Sequence, residues 1–159
     1  AKFGASDIIL ATSGFQIYLN YDVLSKAGID KNTAASFIID QLKKIPGIET
    51  AFLNEALASA TYPEPAKTMF INGFNPKRSG DIVIVKSAGW KNGSRKGATH
   101  GDWNPYDAHI PLVWMGAGIR HGKTHRTIGM TDIAPTLAAL LNIQQPSGSI
   151  GEVITEITD

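Results

Sequence analysis

One histidine in a long polar loop has the residue type and the neighbours of a metal ligand. His100 stands between Thr99 and Gly101, directly after a flexible basic stretch. Neutral imidazole is a preferred ligand of zinc, and an adjacent glycine lets the backbone come close to a metal ion or a phosphate. A single histidine in a polar loop is, however, more often a surface residue than a ligand. The spacing alone therefore leaves both interpretations open.

Two further polar residues lie where this loop meets the next apolar stretch. Asp107 and His109 could orient His100, since a ligating imidazole usually donates its second N–H to an acceptor. The alternative, which we favour, is that they satisfy backbone groups at the junction between the loop and a strand.

His121 and His125 have the i, i+4 spacing of a metal-binding pair. Their neighbours Arg120, Lys123 and Arg126 are all positively charged and would repel a cation. We therefore interpret this stretch as an exposed basic turn rather than as a metal site.

The loop also carries cations and an aromatic residue that could meet a substrate. Lys91, Arg95 and Lys96 could contact a phosphate or a sulfate, although a solvated loop is the interpretation that we favour. Trp103, three residues after His100, could form a wall of a substrate pocket. Packing the loop against the rest of the domain is an equally good role for this indole.

The composition limits the classes of function that need to be considered. The 159 residues, 43% hydrophobic and 18% charged, suit one globular domain. A net charge of +1 gives no electrostatic reason to expect a nucleic acid or a membrane surface as a partner. The sequence contains no cysteine, so a metal would need His, Asp or Glu as ligands. No stretch approaches the roughly 20 apolar residues that span a bilayer.

Strand patterns interleave with helix patterns along the chain. This alternation is typical of an α/β or an α+β fold. Of the two we expect α/β, with a mixed β-sheet and flanking helices. A polar loop over Ser87–Asp107 separates the first part of the chain from the second. A loop of this length in a compact domain is commonly either functional or disordered. The predicted strands are Ile8–Thr12, Phe15–Asn20, Ile48–Leu53, Gly80–Lys86 and His109–Met115, and the predicted helices are Asp30–Lys44, Glu55–Ser59, a possible short one in residues 66–75, and Thr131–Leu141.

The ends of two helices carry residues that suit those positions. Asp30 or Asn32 can cap the first long helix. Thr131 is the candidate cap of the last helix, where Asp132 and Thr136 are expected to serve the helix start rather than catalysis. Pro135 falls in the first turn of that helix, where its missing N–H costs least. Trp114, by contrast, is expected in the core because it lies in an apolar predicted strand.

Two blocks of sequence resemble a known family. The segment Ala98–Gly116, with Thr99-His100-Gly101, Tyr106-Asp107 and His109-Ile110-Pro111-Leu112, resembles the "THGxxxxYDxHVPLxFxG" segment of PafA-type bacterial alkaline phosphatases. The block Met130–Ile143 resembles the "DIaPTlaallgi" helix of the whole alkaline phosphatase superfamily, which includes sulfatases and nucleotide pyrophosphatases. The region from Phe15 to Phe52 is similar to an insert of the same family, more loosely.

This resemblance implies a zinc-dependent phosphate-ester hydrolase. Such enzymes hold two zinc ions close together, and a Thr or Ser alkoxide attacks the phosphorus in line while the metals stabilise the attacking and leaving oxygens. The family pattern makes His100 the last ligand of one zinc. The nucleophile and the other ligands lie upstream in the family order, and residues 1–97 contain no counterpart, so we assign no catalytic residue in this chain. The isolated chain is expected to be inactive, with zinc absent or weakly bound.

The resemblance also predicts the setting of the chain. Residues 1–159 would be a single domain, the C-terminal part of a larger hydrolase, with a cap-like or insert-like and sheet segment in 1–86 and the metal loop and C-terminal helix in 87–159. The beginning Ala1-Lys2-Phe3, without an initiator Met or a signal-peptide pattern, indicates a piece of a longer protein or a processed end. The expected partners are a small-molecule phosphate ester and the upstream remainder of the parent protein, without nucleic acid or membrane.

By the same resemblance the location of the protein would be periplasmic or secreted.

A phosphomonoesterase is the activity that we prefer for the parent protein. The alternatives are a nucleotide pyrophosphatase/phosphodiesterase, a sulfatase, or a non-catalytic binding or structural domain. The sequence leaves the physiological substrate and the oligomeric state open.

Overall fold

A computed structural model of the chain describes residues 3–91, 97 and 100–158. The chain forms two compact units, Ala1–His109 and Ile110–Asp159. Within the described residues, no helix is both long enough and apolar enough to cross a membrane. That residues 1–159 form one domain stays a prediction.

The first unit is built on a four-stranded β-sheet with the order β1-β2-β4-β3. Each pair of neighbouring strands is antiparallel. The predicted sheet with flanking helices is thus confirmed, but its described strand pairs are antiparallel rather than mixed. The strands are β1 (Ile9–Ser13), β2 (Gln16–Leu19), β3 (Ile48–Leu53) and β4 (Ile82–Lys86).

Helices connect and flank these strands. Asp30, one of the two candidate caps from the sequence, caps α2, because its carboxylate accepts a hydrogen bond of 2.8 Å from the backbone N–H of Thr33. A 3-10 helix occupies Asn54–Ser59, and residues 66–75, which were ambiguous in sequence, hold a short α-helix. The α-helices of this unit are α1 (Tyr21–Lys26), α2 (Lys31–Leu42), α3 (Ala66–Gly73) and α4 (Pro105–Ala108).

The core of the first unit lies between the sheet and helices α1 and α2. Strand β2 alternates between half-buried and buried positions, which directs Ile17 and Leu19 into this core. Leu24 of α1, with Ala34, Ala35 and Ile38 of α2, packs against them, together with Ala51 and Ile82 of the central strands. The small alanines of α2 let the helix approach the sheet closely, so the first unit has its own hydrophobic core.

Asp81, the residue before β4, joins three parts of the first unit. Its carboxylate accepts a hydrogen bond of 2.7 Å from the backbone N–H of Leu19 at the end of β2. It also accepts a hydrogen bond from the hydroxyl of Tyr21 at the start of α1. This hydrogen bond, with smaller contributions from burial and from the charge of Asp81, raises the pKa of Tyr21 to about 12. Asp81 therefore holds β2, α1 and β4 together.

The Tyr21–Asp81 pair predicts a loss of stability at alkaline pH. Folding raises the pKa of Tyr21 from 10.0 to about 12. The pair therefore stabilises the fold fully at pH values below 10.0, and this stabilisation is lost as the pH rises to about 12. The free energy of unfolding from urea titrations should fall across that range, and the fall should be smaller in Tyr21→Phe. Tyr18→Phe is the matched control, since the hydroxyl of Tyr18 donates to a backbone carbonyl, that of Arg78, at 3.2 Å. Identical pH profiles for wild type and Tyr21→Phe would refute this prediction.

The second unit is organised around a short helix. A 3-10 turn (Met130–Asp132) leads into α5 (Ile133–Leu140), and α6 (Thr155–Thr158) follows near the end of the chain. Two polar residues fasten the start of α5 to the stretch that precedes α6. Asp132 accepts hydrogen bonds of 2.9 Å from the backbone N–H groups of Gly129 and Glu152. The buried hydroxyl of Thr136 donates to the carbonyl of Asp132 at 2.6 Å and accepts from the N–H of Ile154 at 2.9 Å.

These contacts agree with the structural role predicted for Asp132 and Thr136. Thr131 does not cap the helix, because it lies inside the 3-10 turn and Asp132 occupies the position before α5. The backbone of Thr131 approaches Gly151 so closely that a Cβ on Gly151 would lie 2.1 Å from the Thr131 carbonyl oxygen. Glycine is therefore required where the C-terminal stretch crosses the helix start.

One predicted strand is absent. Residues His109–Met115 belong to no strand, because no strand among the described residues pairs with them. A strand is defined by the ladder of hydrogen bonds to its neighbour, so an apolar sequence of the right length is not sufficient. Trp114, expected in the core, is only half-buried.

Candidate functional site

The loop that follows β4 is fastened by hydrogen bonds between its own polar groups. The N–H of Asp102 donates to the carboxylate of Asp107 at 2.6 Å, and Asn104 donates from its side chain to the carboxylate of Asp102 at 2.7 Å. The hydroxyl of Tyr106 accepts a hydrogen bond of 3.0 Å from the N–H of Gly89, at the other end of the loop. The described parts of the loop are thus held in one shape around the position of His100.

Asp107 has a local role in the loop. Its carboxylate satisfies the backbone N–H of Asp102, which agrees with the interpretation that we favoured from the sequence. His109 ends the short helix α4, where its N–H donates to the carbonyl of Pro105 at 3.0 Å, and its side chain is exposed. That either residue orients His100 stays a prediction.

Aromatic contacts fasten the loop to the sheet and to α3. The indole of Trp103 packs edge-on against the rings of Phe15 and Phe70, with centroid separations of 5.2 and 4.9 Å. Phe70 in turn contacts Tyr62 at 6.0 Å, and burial, followed by the charge of Glu49, raises the pKa of Tyr62 to about 12. Of the two roles considered for Trp103, packing the loop down is therefore the one that the contacts support.

Replacing Trp103 should loosen this anchor. We expect Trp103→Ala to lower the free energy of unfolding by about 2 kcal/mol, because a half-buried indole loses its contacts with two rings, whereas Trp103→Phe should cost about half as much. Trp90→Ala is the control, since 51% of the Trp90 surface is exposed. Urea denaturation measures the three values. A cost for Trp103→Ala no larger than that for Trp90→Ala would rule out the anchoring role.

A cavity of about 510 Å³ opens beside this loop. Its wall combines aromatic rings with cationic and acidic side chains, and the ammonium of Lys86 lies 4.7 Å from the ring centroid of Phe15. A cavity of this size is large enough for a small organic molecule. Its lining consists of Gly14, Phe15, Lys86, Gly89, Trp90, Lys91, His100, Asp102, Tyr106 and Asp107.

The structure thus brings His100 to an open cavity in the company of two lysines. The imidazole is exposed and lines the cavity. Lys91, a candidate anion contact from the sequence, lines the same cavity, while Arg95 and Lys96 lie outside the described residues, as does Thr99. Lys86 was missed by sequence reasoning.

The residues present do not complete a zinc site. A catalytic zinc takes three protein ligands and keeps a fourth position open. No group of three or more His, Cys, Asp or Glu side chains that could hold a metal occurs in residues 3–91, 97 and 100–158. The nearby carboxylates of Asp102 and Asp107 already accept hydrogen bonds from the loop. Among the described residues, His100 is therefore a candidate metal ligand without a complete set of partners.

The other histidine pair does not have metal-binding geometry. His121 and His125 lie in an exposed, irregular segment and not on a helix, so the i, i+4 spacing does not place them on one face. Arg126 in the same segment forms a salt bridge of 2.8 Å with Glu156. This guanidinium holds the pKa of Glu156 at about 2. The segment is a basic, solvated turn, as its composition indicated.

Known proteins resemble the chain along almost its whole length. It is 43% identical over 157 residues to alkaline phosphatase PafA from Elizabethkingia meningoseptica, an alignment that covers 98% of the chain. It is 44% identical over 142 residues to alkaline phosphatase PhoV from Synechococcus elongatus, which covers 89% of the chain. A protein from Myroides odoratus named calcium-transporting ATPase is 42% identical over 159 residues. No protein-family model matches the chain.

The fold is similar as well. A crystal structure of alkaline phosphatase PafA superposes with a TM-score of 0.94 and 42% sequence identity, over 99% of this chain and 31% of that one. The chain spans 29% of the length of PafA and of the Myroides protein, and 26% of PhoV. The fold and the sequence together match a portion of a longer alkaline phosphatase fold. The chain belongs to the alkaline phosphatase superfamily, as the two sequence blocks predicted.

Proposed function

We propose that this chain is part of a zinc-dependent hydrolase that acts on phosphate monoesters, and that His100 supplies one ligand to one of two zinc ions. The observation that carries the proposal is the identity of 43% over 98% of the chain to a protein named alkaline phosphatase. The name of PhoV agrees with it, while that of the Myroides protein does not. The alignment with PafA extends through the loop that carries His100. A hydrolytic site shared by the two proteins is the simplest explanation of this similarity.

The surroundings of His100 support a negatively charged ligand. Lys86 and Lys91 line the same cavity, and two ammonium groups favour a phosphate dianion over a neutral molecule. The rings of Phe15 and Trp90 on the wall could contact an organic group carried by the ester. These side chains would bind and orient the ester, and Trp103 would keep the loop in place.

The remaining chemistry is assigned to the rest of the longer protein. The described residues include one candidate zinc ligand, and no nucleophile could be assigned in this chain. When bound, zinc would supply Lewis-acid stabilisation of the phosphate oxygens. We propose that the 159-residue chain alone is inactive, and we derive no catalytic step within it.

The proposed partners follow from the same family membership. They are a small-molecule phosphate ester and the remaining part of the parent protein, and neither a nucleic acid nor a membrane is proposed. The net charge of +1 gives no electrostatic reason to expect a polyanionic partner. We propose a periplasmic or secreted location.

The experiment is a comparison of three aryl esters with the full-length protein and added zinc. We expect the highest kcat/KM for a phosphate monoester, followed by a phosphate diester and a sulfate ester. A higher value for the diester would favour a phosphodiesterase, and a higher value for the sulfate ester would favour a sulfatase. Hydrolysis of none of the three would favour a non-catalytic module.

A further inference from the structure

The segment Ile110–Met115, here called the apolar segment, has a backbone that pairs with no other described part of the chain. It carries no charged side chain, and none of its N–H or C=O groups forms a hydrogen bond with any described residue. Pro111 lacks an N–H, so five donors and six acceptors are left without a protein partner within the part of the chain that the structure describes. Native proteins pair the great majority of such groups when they are buried among apolar side chains.

The exposure of the side chains alternates over the last four residues of the apolar segment, from Leu112 to Met115. Leu112 is 41% exposed and Trp114 is half-buried, whereas Val113 and Met115 are 85% and 94% exposed. A period of two residues is that of a β-strand, with one face on its own unit and the other face bare. Large apolar side chains exposed together on one face mark an interaction surface.

A buried polar atom points to the same conclusion independently. The indole nitrogen of Trp114 is inaccessible to solvent and has no hydrogen-bond acceptor among the described residues. An indole N–H usually finds a partner when it is buried. The acceptor is therefore expected on something that packs against the apolar segment.

We propose that the apolar segment is a β-strand whose neighbour is supplied by the remaining part of the longer protein. The similar chains make this occupant available, because PafA superposes on 99% of this chain while 31% of its own length is matched, which leaves more than two thirds outside the match. The proposal shares with the proposed function the premise that the chain is part of a longer protein. It does not depend on the hydrolytic activity.

Hydrogen–deuterium exchange tests the proposal directly. The amides of residues 112–115 should exchange about 100-fold more slowly in the full-length protein than in the 159-residue chain. Equal, fast exchange in both would overturn the proposal. A 159-residue chain that dimerises, and becomes monomeric on Val113→Asp, would also overturn it, because the occupant would then be a second copy.

A pair of variants locates the surface. In the full-length protein, Val113→Asp should raise the exchange rate of the apolar segment about 10-fold or more, since a charge would be buried against the neighbouring strand. Ile150→Asp is the control, because Ile150 is 83% exposed, close to the 85% of Val113, and lies outside the segment. Equal effects of Val113→Asp and Ile150→Asp on the exchange rate would contradict the assignment. If Val113→Asp does not fold, Val113→Thr replaces it.

The experiment measures exchange and not turnover. An inactive protein whose apolar segment is protected would therefore refute the proposed function alone.

Discussion

The 159-residue chain alone should hydrolyse an aryl phosphate monoester no faster than buffer, with or without added zinc. One imidazole cannot hold a catalytic zinc, and the described residues contain no group of three metal-binding side chains. Without an assigned nucleophile, no covalent step can be attributed to the chain. Because enzymes of ordinary efficiency exceed the uncatalysed rate by about 10⁶-fold or more, the full-length protein should exceed the chain by at least that factor.

The measurement needs a control for folding. Circular dichroism should show helix and strand in the 159-residue chain, since the first unit has its own core around Ile17, Leu24 and Ile38. Turnover of the monoester by a chain that is folded and free of contaminating phosphatase would show that the site is complete. Turnover that appears only after addition of the remaining part of the protein would agree with the expectation.

The second large effect is expected for His100→Ala in the full-length protein. Removing one of three protein ligands should lower kcat/KM for the monoester by about 1000-fold or more, because loss of a residue that merely supports a ligand already costs about 10- to 100-fold. The change in transition-state stabilisation would be about 4 kcal/mol. His100 is exposed, so the substitution should leave the free energy of unfolding almost unchanged in the absence of metal.

Two further variants separate ligation from charge or packing. His121→Ala should keep full activity, because His121 lies in the exposed basic turn of the second unit. His100→Asp should recover part of the activity, since a carboxylate is also a zinc ligand. Full activity in His100→Ala would remove His100 from the site, and equal losses in His100→Ala and His121→Ala would show a nonspecific effect.

Local sequence patterns predicted most elements of the first unit. An aspartate just before a helix is a capping pattern whose hydrogen bond depends on neighbouring residues alone, and Asp30, one of the two predicted candidates, makes this bond with the N–H of Thr33. The β-branched run Ile82–Val85 likewise forms a buried strand. The order of the strands depends instead on contacts between distant residues, such as that of Asp81 with Tyr21, and no local pattern reports them.

The prediction of a strand over His109–Met115 was wrong because strand pairing, too, depends on distant residues. Its apolar residues and length are local properties, whereas a strand also needs a neighbour, which the described residues do not supply. Thr131 was wrong as a cap because the chain begins to turn before it, at Gly129. Both errors arise where the backbone conformation is determined by residues far away in sequence or by residues outside the predicted element.

The candidate site was predictable only in part. Resemblance singled out His100, and the structure places its side chain at an open cavity. Lys86 and Phe15 line that cavity through the pairing of strands, and neither has a chemical pattern around it in the sequence. A polar residue at the end of a buried strand, such as Lys86, was the available signal, although such lysines are commonly just solvated.

The role of His100 as a zinc ligand is tested most directly by the metal content of the full-length protein. Elemental analysis of the purified, dialysed wild type should give about two zinc ions per chain, as in two-metal sites generally. His100→Ala should lose about one of them, and His121→Ala should lose none. An equal zinc content in wild type and His100→Ala, or a wild type without zinc that still hydrolyses the monoester, would contradict the account.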